Sequence, residues 1–359
     1  MAPLPERDAA AAGFDAARLQ EACAWAERHD SGVPESLDAY LAASAFQDRD
    51  WGETLGPTKD RGPCSGLVLK DGAIVAAWGD PHRIDMTFSV TKSMLAAVAG
   101  VAFDSGLLSD LDEPVGAKVK SGHFDGPHNG AITWRHLLQQ ASEWEGTLWD
   151  KPDLVDRNRD VFGKDNSKKA THRDLQAPGS FWEYNDVRVN VLALALLHLF
   201  RRPLPEVARE AILDPIGASQ ELSWNGYRNS TVTIDGEEML SVSGGGHWGG
   251  GMFVSADDLA RFGLLFLNRG HWGGRRILSE RWVDLCTTPS AIEPRYGFLW
   301  WLNTGRGMYP SAPESSFFAL GNGGHLVWVD RDNGIVGITR WMADAAHDGF
   351  IRRVLDARA

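Results

Sequence analysis

Cysteine is nearly absent from this chain. Cys23, Cys64 and Cys286 are far apart, odd in number and without metal-ligand spacing. That excludes a disulfide-stapled scaffold and leaves three reduced, structural thiols. Long apolar runs are missing as well. The opening residues Met1-Ala2-Pro3-Leu4-Pro5-Glu6-Arg7-Asp8 hold no stretch of signal-peptide or membrane length, so a cytoplasmic protein is expected. Positive charge is in deficit, with 36 Lys and Arg against 48 Asp and Glu, a formal net charge of -12. Such a chain repels a nucleic acid backbone and an anionic membrane alike, which removes both as main partners and leaves a small-molecule substrate. The 11 histidines include no His-Glu-x-x-His spacing, so neither a metal nor another cofactor is expected. His82, His123, His128, His136 and His247 read as structural or surface groups. Internal repeats and low-complexity segments are also lacking, and oligomeric state is left open.

What is present is ordinary in bulk and uneven in detail. The 359 residues exceed a typical single core, which implies two subdomains or one composite domain. Fifteen tryptophans against five tyrosines suggest flat-walled packing, most simply buried core indole. Residues 14–29 carry apolar groups at helical spacing, and a short helix fits residues 37–43. Asp71-Gly72 between two apolar runs is a hairpin signal spanning residues 66–79. Thr133 can cap one helix, Asn185 or Asp186 another, and Ser255 with Asp258 a third. Residues 151–177 are polar and charged, and read as a surface excursion. Strands are expected at 296–303, 317–320, 325–330 and 334–341, with Asp332-Asn333-Gly334 as a turn, and a final helix over 345–358.

The expected fold class is therefore α+β: one antiparallel sheet built from both ends of the chain, flanked by terminal helices, with an all-helical subdomain inserted. Residues 1–86 and 245–359 would form the sheet part, and residues 87–244 the mainly helical part.

The chemistry concentrates at Phe88-Ser89-Val90-Thr91-Lys92-Ser93, which leads into an apolar segment with no charge before Asp104. Such a helix packs inside a protein, and a lysine at its head needs a reason to be there. Residues three apart share a helical face, so Ser89 and Lys92 point the same way. A serine hydroxyl needs a neighbouring base, and the first turn of a helix favours developing negative charge. Roughly one Ser-x-x-Lys match is expected by chance in a chain of this length, so the pattern needs support from elsewhere.

Two further stretches supply it. Pro178-Gly179-Ser180-Phe181-Trp182-Glu183-Tyr184-Asn185-Asp186 presents a tyrosine ahead of a helix, and beside a lysine a phenol can relay protons. Phe317-Phe318-Ala319-Leu320-Gly321-Asn322-Gly323-Gly324-His325 is a strand that breaks into glycines, where a backbone or ligand can approach closely. The glycine-rich run 241–251 has no strand-loop-helix setting with a Walker lysine and reads as tight backbone packing.

Together these stretches resemble the serine beta-lactamase and penicillin-binding-protein superfamily, in particular its class C-like esterase and amidase branch. Ser89 and Lys92 match the first motif, and Tyr184 with Asp186 the second, where class C enzymes carry Tyr-x-Asn. Ile132-Thr133-Trp134-Arg135-His136-Leu137-Leu138, the Pro178-Gly179 lead-in and Tyr296-Gly297-Phe298-Leu299-Trp300-Trp301 also resemble the family, so the likeness runs from about Gly66 to Trp341. The third motif departs from it: Ala319-Leu320-Gly321 stands where Lys-Thr-Gly would bind a substrate carboxylate. That replacement looks like the subset resembling 6-aminohexanoate-dimer hydrolases and related carboxylesterases.

The resemblance implies a hydrolase of small esters or amides, with Ser89, Lys92 and Tyr184 catalytic. Gly321, Asn322, Gly323, His325, Asp186 and Trp182 would form the oxyanion and substrate-binding set. Asp186 would either hold Lys92 charged, leaving the tyrosine as the base, or cap the helix. A beta-lactamase or D-Ala-D-Ala peptidase, and a catalytically silent binding protein of the same fold, are the alternatives.

Overall fold

Asp71 and Gly72 both adopt left-handed backbone, with φ of 48° and 85°, and close a two-residue hairpin between the strands Ser65–Lys70 and Ala73–Trp78. The computed structural model describes residues 3–43, 46, 48–163 and 165–358. The hairpin joins the late part of the chain directly, Ser65–Lys70 pairing antiparallel with Ile335–Arg340. The full sheet has six strands, in the order Trp301–Leu302, Phe317–Gly321, His325–Asp330, Ile335–Arg340, Ser65–Lys70 and Ala73–Trp78.

Helices cover both faces of this sheet. Neighbouring strand residues point to opposite sides: Val336 meets Gly263 of the helix Ala256–Leu267, whereas Gly337 lies under Phe350 of the last helix, His347–Asp356. The first helix, Ala16–Arg28, packs beside the last one. It is capped by Asp15 and buries Leu19, Ala22, Cys23 and Ala26, the stripe that the apolar spacing predicts. Ser255 caps Ala256–Leu267 by accepting from the Asp258 N–H. The helix Val90–Asp104 is buried along nearly its whole length, and Gly100 lets the Trp282 indole sit against its backbone. Truncating a side chain such as Leu95 there would cost about 2–5 kcal/mol. Trp134, Trp144, Trp248, Trp282, Trp300, Trp328 and Trp341 are core indoles.

The inserted segment is not helical throughout. It holds the buried helix Asp186–Phe200, but also a long strand, Ser223–Ile234, which pairs with Glu237–Val242 and Gly251–Val254 in a second, four-stranded sheet. Polar residues fill much of Ser223–Ile234, and its register shifts between Gly226 and Thr231, which blurs the alternation. The Asp235-Gly236 turn, with φ of 55° and 87°, was the readable signal. Residues 151–177 also differ from a simple surface excursion, since Lys151, Asp153, Asp156, Arg157 and Lys169 are buried.

Cys23, Cys64 and Cys286 are buried and unpaired, and burial pushes the thiols of Cys23 and Cys64 up to about 12. Among the described residues, no helix is long and apolar enough to cross a membrane.

Candidate active site

The strand Asp85–Met86 turns into the helix Val90–Asp104 through Phe88, whose φ of 47° is left-handed although it is not glycine. Such a conformation costs of order 1–3 kcal/mol and persists only where packing enforces it. Here the Phe88 ring is buried, with Trp341 edge-on to it at 6.4 Å. The turn delivers Ser89 to the head of the helix at the wall of a cavity of about 700 Å³. One turn on, Lys92 is 1% exposed and donates from Nζ to Ser89 Oγ at 2.7 Å.

Lys92 Nζ also donates to Asp186 Oδ1 at 2.5 Å. Asn185, not Asp186, caps the helix Asp186–Phe200, accepting from the N–H groups of Val187 and Arg188. Asp186 is therefore free to serve Lys92. Burial alone would lower the lysine, but Asp186, with Tyr184 adding to it, outweighs burial and holds the ammonium above its ordinary range. Gly245 makes the contact possible, because a Cβ there would lie 2.2 Å from Asp186 Oδ1 and 2.4 Å from Lys92 Nζ. The glycine-rich run thus works as close packing, as read from the sequence, around the lysine-carboxylate pair itself.

Tyr184 lines the cavity, its ring centre 4.6 Å from Lys92 Nζ and 5.2 Å from the Arg159 guanidinium. Trp301 stacks on it at 5.3 Å. Trp182 does not line the cavity that Ser89 lines. It packs behind Tyr184 and Tyr296 and borders a neighbouring cleft with Phe162 and Phe181.

The strand Phe317–Gly321 forms another wall. Its outer edge is paired only at Phe317 and Phe318, so among the described residues 319–321 have no strand on that side, and Leu320 and Gly321 face the cavity with Asn322. A Cβ on Gly321 would lie 2.3 Å from the Thr87 carbonyl, so glycine lets this strand meet the turn that carries Ser89. Asn322 Nδ2 donates to the Tyr40 hydroxyl at 2.9 Å. Gly323 takes a φ of 83° in the hairpin turn, against the Trp341 ring.

His325 does not reach the cavity. It is fully buried, accepts from Arg340 Nε at 3.0 Å and touches Trp341, and burial with the Arg340 charge holds it well below the usual histidine range. The strand alternation that brings Leu320 to the cavity sends this ring inward.

Two residues that the sequence did not mark belong to the site. Arg159 lines the cavity and donates to Asp186 Oδ2 at 2.7 Å and to Asp156 Oδ1 at 3.3 Å. His247, within the glycine run, also lines it, its Nδ1 3.0 Å from Asp186 Oδ2 and its Nε2 2.7 Å from Asp48 Oδ2. Burial would lower this imidazole, but Asp48, Asp156 and Asp186 outweigh it and raise it. Asp186 is held well below the carboxylate range by Lys92, His247 and Arg159 against the opposing effect of burial. Asp48, Asp156 and His247 come close enough to form a metal donor set. The chain supplies its own cation there, since the Lys169 ammonium bonds Asp48 and lies 3.3 Å from Asp156. Histidine spacing could not reveal His247, because its partners lie 61 and 199 residues away.

Sheet, insertion and helix-borne Ser-x-x-Lys pair define a hydrolase of the beta-lactamase/transpeptidase-like fold. The beta-lactamase family model matches residues 65–343, and the chain belongs to that family. It is 24% identical over 355 residues to a 6-aminohexanoate-dimer hydrolase from Paenarthrobacter ureafaciens, covering 88% of this chain and 81% of the relative. Among solved structures, a D-stereospecific amidohydrolase from Streptomyces sp. superposes with a TM-score of 0.58 at 19% identity, over 96% of this chain and 98% of that one. A penicillin-binding protein homologue from Caulobacter crescentus gives 0.59 at 17% identity, over 91% and 98%.

Proposed function

We propose that the protein is a metal-independent serine hydrolase that cleaves a small ester or amide through an acyl-enzyme on Ser89. The observation that carries this reading is the Ser89 hydroxyl, 2.7 Å from an ammonium that Asp186 keeps charged, at the wall of a substrate-sized cavity. A lysine held charged cannot take the serine proton, so Tyr184 is the base and Lys92 the cation that stabilises both alkoxide and phenolate. Ser89 Oγ bonds to the substrate carbonyl carbon and its proton passes to Tyr184. The backbone N–H groups of Ser89 and Asn322 receive the oxyanion. The tetrahedral adduct collapses, the bond to the leaving oxygen or nitrogen breaks, and Tyr184 returns the proton to that atom. Water, deprotonated by the same tyrosine, then attacks the acyl carbon, the bond to Ser89 Oγ breaks, and Tyr184 returns the proton to that oxygen as the acid leaves.

The test is hydrolysis of p-nitrophenyl butyrate. Ser89→Ala is expected to lose at least ~10^3-fold in kcat while keeping its circular dichroism spectrum. Tyr184→Phe is expected to lose the ionisation that governs kcat/KM in the wild type. An unchanged pH profile in Tyr184→Phe would remove the tyrosine, and more than a tenth of wild-type turnover in Ser89→Ala would remove the nucleophile. The beta-lactamase alternative is disfavoured by Ala319 and Leu320, which give a drug carboxylate no cation or hydroxyl, so nitrocefin turnover is expected to stay below that of p-nitrophenyl butyrate. A ratio above one would reverse the order of the two readings.

A further inference from the structure

Arg340, the last residue of the sheet strand Ile335–Arg340, is 1% exposed, yet among the described residues it bonds to no carboxylate. Its Nε donates to His325 Nδ1 at 3.0 Å, Nη1 to the Val254 carbonyl at 2.6 Å, and Nη2 to the carbonyls of Asp85 and Met86, each at 3.1 Å. The Asp85 carboxylate is turned elsewhere, accepting from the Gly62 N–H and from Arg83 Nε, both at 3.2 Å. Burial lowers this guanidinium to about 10 with Asp85 and Asp258 opposing, so it is charged at neutral pH. Taking a cation out of water with no anion bonded to it is costly, and the carbonyl bonds carry what no ion pair supplies. They also join two sheets, because Arg340 ends a strand of the six-stranded sheet whereas Asp85–Met86 and Gly251–Val254 pair in the four-stranded one.

Two short tethers lead from this guanidinium to the catalytic cavity. On one side, only Thr87 and the left-handed Phe88 separate Met86 from Ser89. On the other, His325 pairs with Gly321 and closes the hairpin turn that holds Asn322. The His325 imidazole accepts at Nδ1, so it is neutral with its proton on Nε2, and Nε2 is buried with no partner among the described residues. The bond from Arg340 is therefore what fixes that ring, which stacks 6.2 Å from Phe88 in the turn before Ser89.

We propose that Arg340 is a positioning residue for the reaction: by tying Asp85 and Met86 to His325, its guanidinium sets the spacing between the Ser89 and Asn322 N–H groups that receive the oxyanion. Those two donors belong to different sheets and must converge on one oxygen, and a misplacement of about 1 Å costs ~10^2-fold in rate. A planar fork with donors in fixed directions can hold acceptors on both sides at once, which a lysine ammonium on a flexible stem cannot. Arg340 does not line the cavity, so it acts through the backbone it holds and touches no reacting atom. This inference rests on the ester- and amide-hydrolase reading.

Arg340→Met and Arg340→Lys test it, with Arg188→Met as a control that removes a buried arginine away from the cavity. On p-nitrophenyl butyrate, kcat/KM of the folded protein is expected to fall by ~10^2-fold in Arg340→Met and at least ~10-fold in Arg340→Lys, and to stay within a few fold in Arg188→Met. The pH at which kcat/KM is half-maximal is expected to stay at its wild-type value in Arg340→Lys, because the tyrosine base is untouched. Amide hydrogen exchange read by mass spectrometry needs no turnover: in Arg340→Lys, residues 85–92 and 319–326 are expected to lose protection together while the helix Ala16–Arg28 keeps it. If Arg340→Met does not fold, the lysine variant decides. Wild-type kcat/KM in Arg340→Lys, a shifted pH profile, or faster exchange confined to one of the two segments or spread evenly over the chain would overturn the proposal. Absence of ester turnover in the wild type, with the paired loss of protection intact, would overturn the hydrolase reading and keep the tie between the two segments.

Discussion

Two buried ion networks lie side by side, one within the inserted segment and one that ties that segment to Asp48 and His247, and they are built from different chemistry. In one, Glu143, Glu183 and Asp153 face Arg173, Arg188 and Arg157, with Arg188 bonded to Glu143 at 2.7 Å and to Asp153 at 3.2 Å. None of these residues lines the cavity that Ser89 lines. In the other, Asp186, Asp48 and Asp156 face Lys92, Arg159, Lys169 and His247, and the network opens on that cavity. Arginine holds its charge at any physiological pH, so the first network is a clamp with fixed signs. The second network mixes lysine and histidine with one arginine, and in the proposed mechanism its held-charged Lys92 stands beside the proton that Tyr184 moves. Position on the cavity separates the two networks, since both are buried and charge-dense.

Breaking each network once is the strongest way to test that difference. Arg188→Met leaves Glu143, Glu183 and Asp153 short of a buried partner, and is expected to cost about 3–5 kcal/mol in urea unfolding while the folded fraction keeps kcat within a few fold. Asp186→Asn removes the carboxylate that holds Lys92 charged, and is expected to lower kcat/KM by ~10^2-fold or more and to shift its pH profile. Equal activity losses in the two variants would show that the networks do not differ in role.

A gentler separation comes from pH. Arg173 and Arg188 hold Glu143 down to about 2 against the effect of burial. Its stabilisation is therefore present above the ordinary glutamate range and is lost as pH falls towards 2. Asp48 and Asp186 are also lowered, so acid weakens both networks. His247 is raised, so its contribution is complete below the ordinary histidine range and is lost as pH rises through the raised value. Thermal melts of the wild type are expected to fall on this alkaline side, and those of His247→Gln to be flatter there. Parallel alkaline slopes in the two proteins would mean that His247 is not charged in the folded state.

These networks also mark where the sequence stopped being readable. The hairpin at Asp71-Gly72, the stripe of Ala16–Arg28 and the Ser255 cap follow from neighbours a few residues apart, and each formed where spacing placed it. The meeting of Ser89, Lys92 and Tyr184 was legible because each stands in a short local motif, and the structure brings the three side chains to one place. Arg159 and His247 were not, because a charged residue in a polar stretch and a histidine among glycines look solvated until distant carboxylates close on them. The strand Ser223–Ile234 escaped for a related reason: its polar residues hide a period of two that only pairing with Glu237–Val242 and Gly251–Val254 makes plain.

The most direct test of the account is covalent labelling of the wild-type protein with a fluorophosphonate, followed by intact-mass measurement and peptide mapping. A single adduct on the peptide containing Ser89, absent in Ser89→Ala and much slower to form in Asp186→Asn, is the predicted result. No adduct, or an adduct on another serine that forms equally fast in Asp186→Asn, would contradict it.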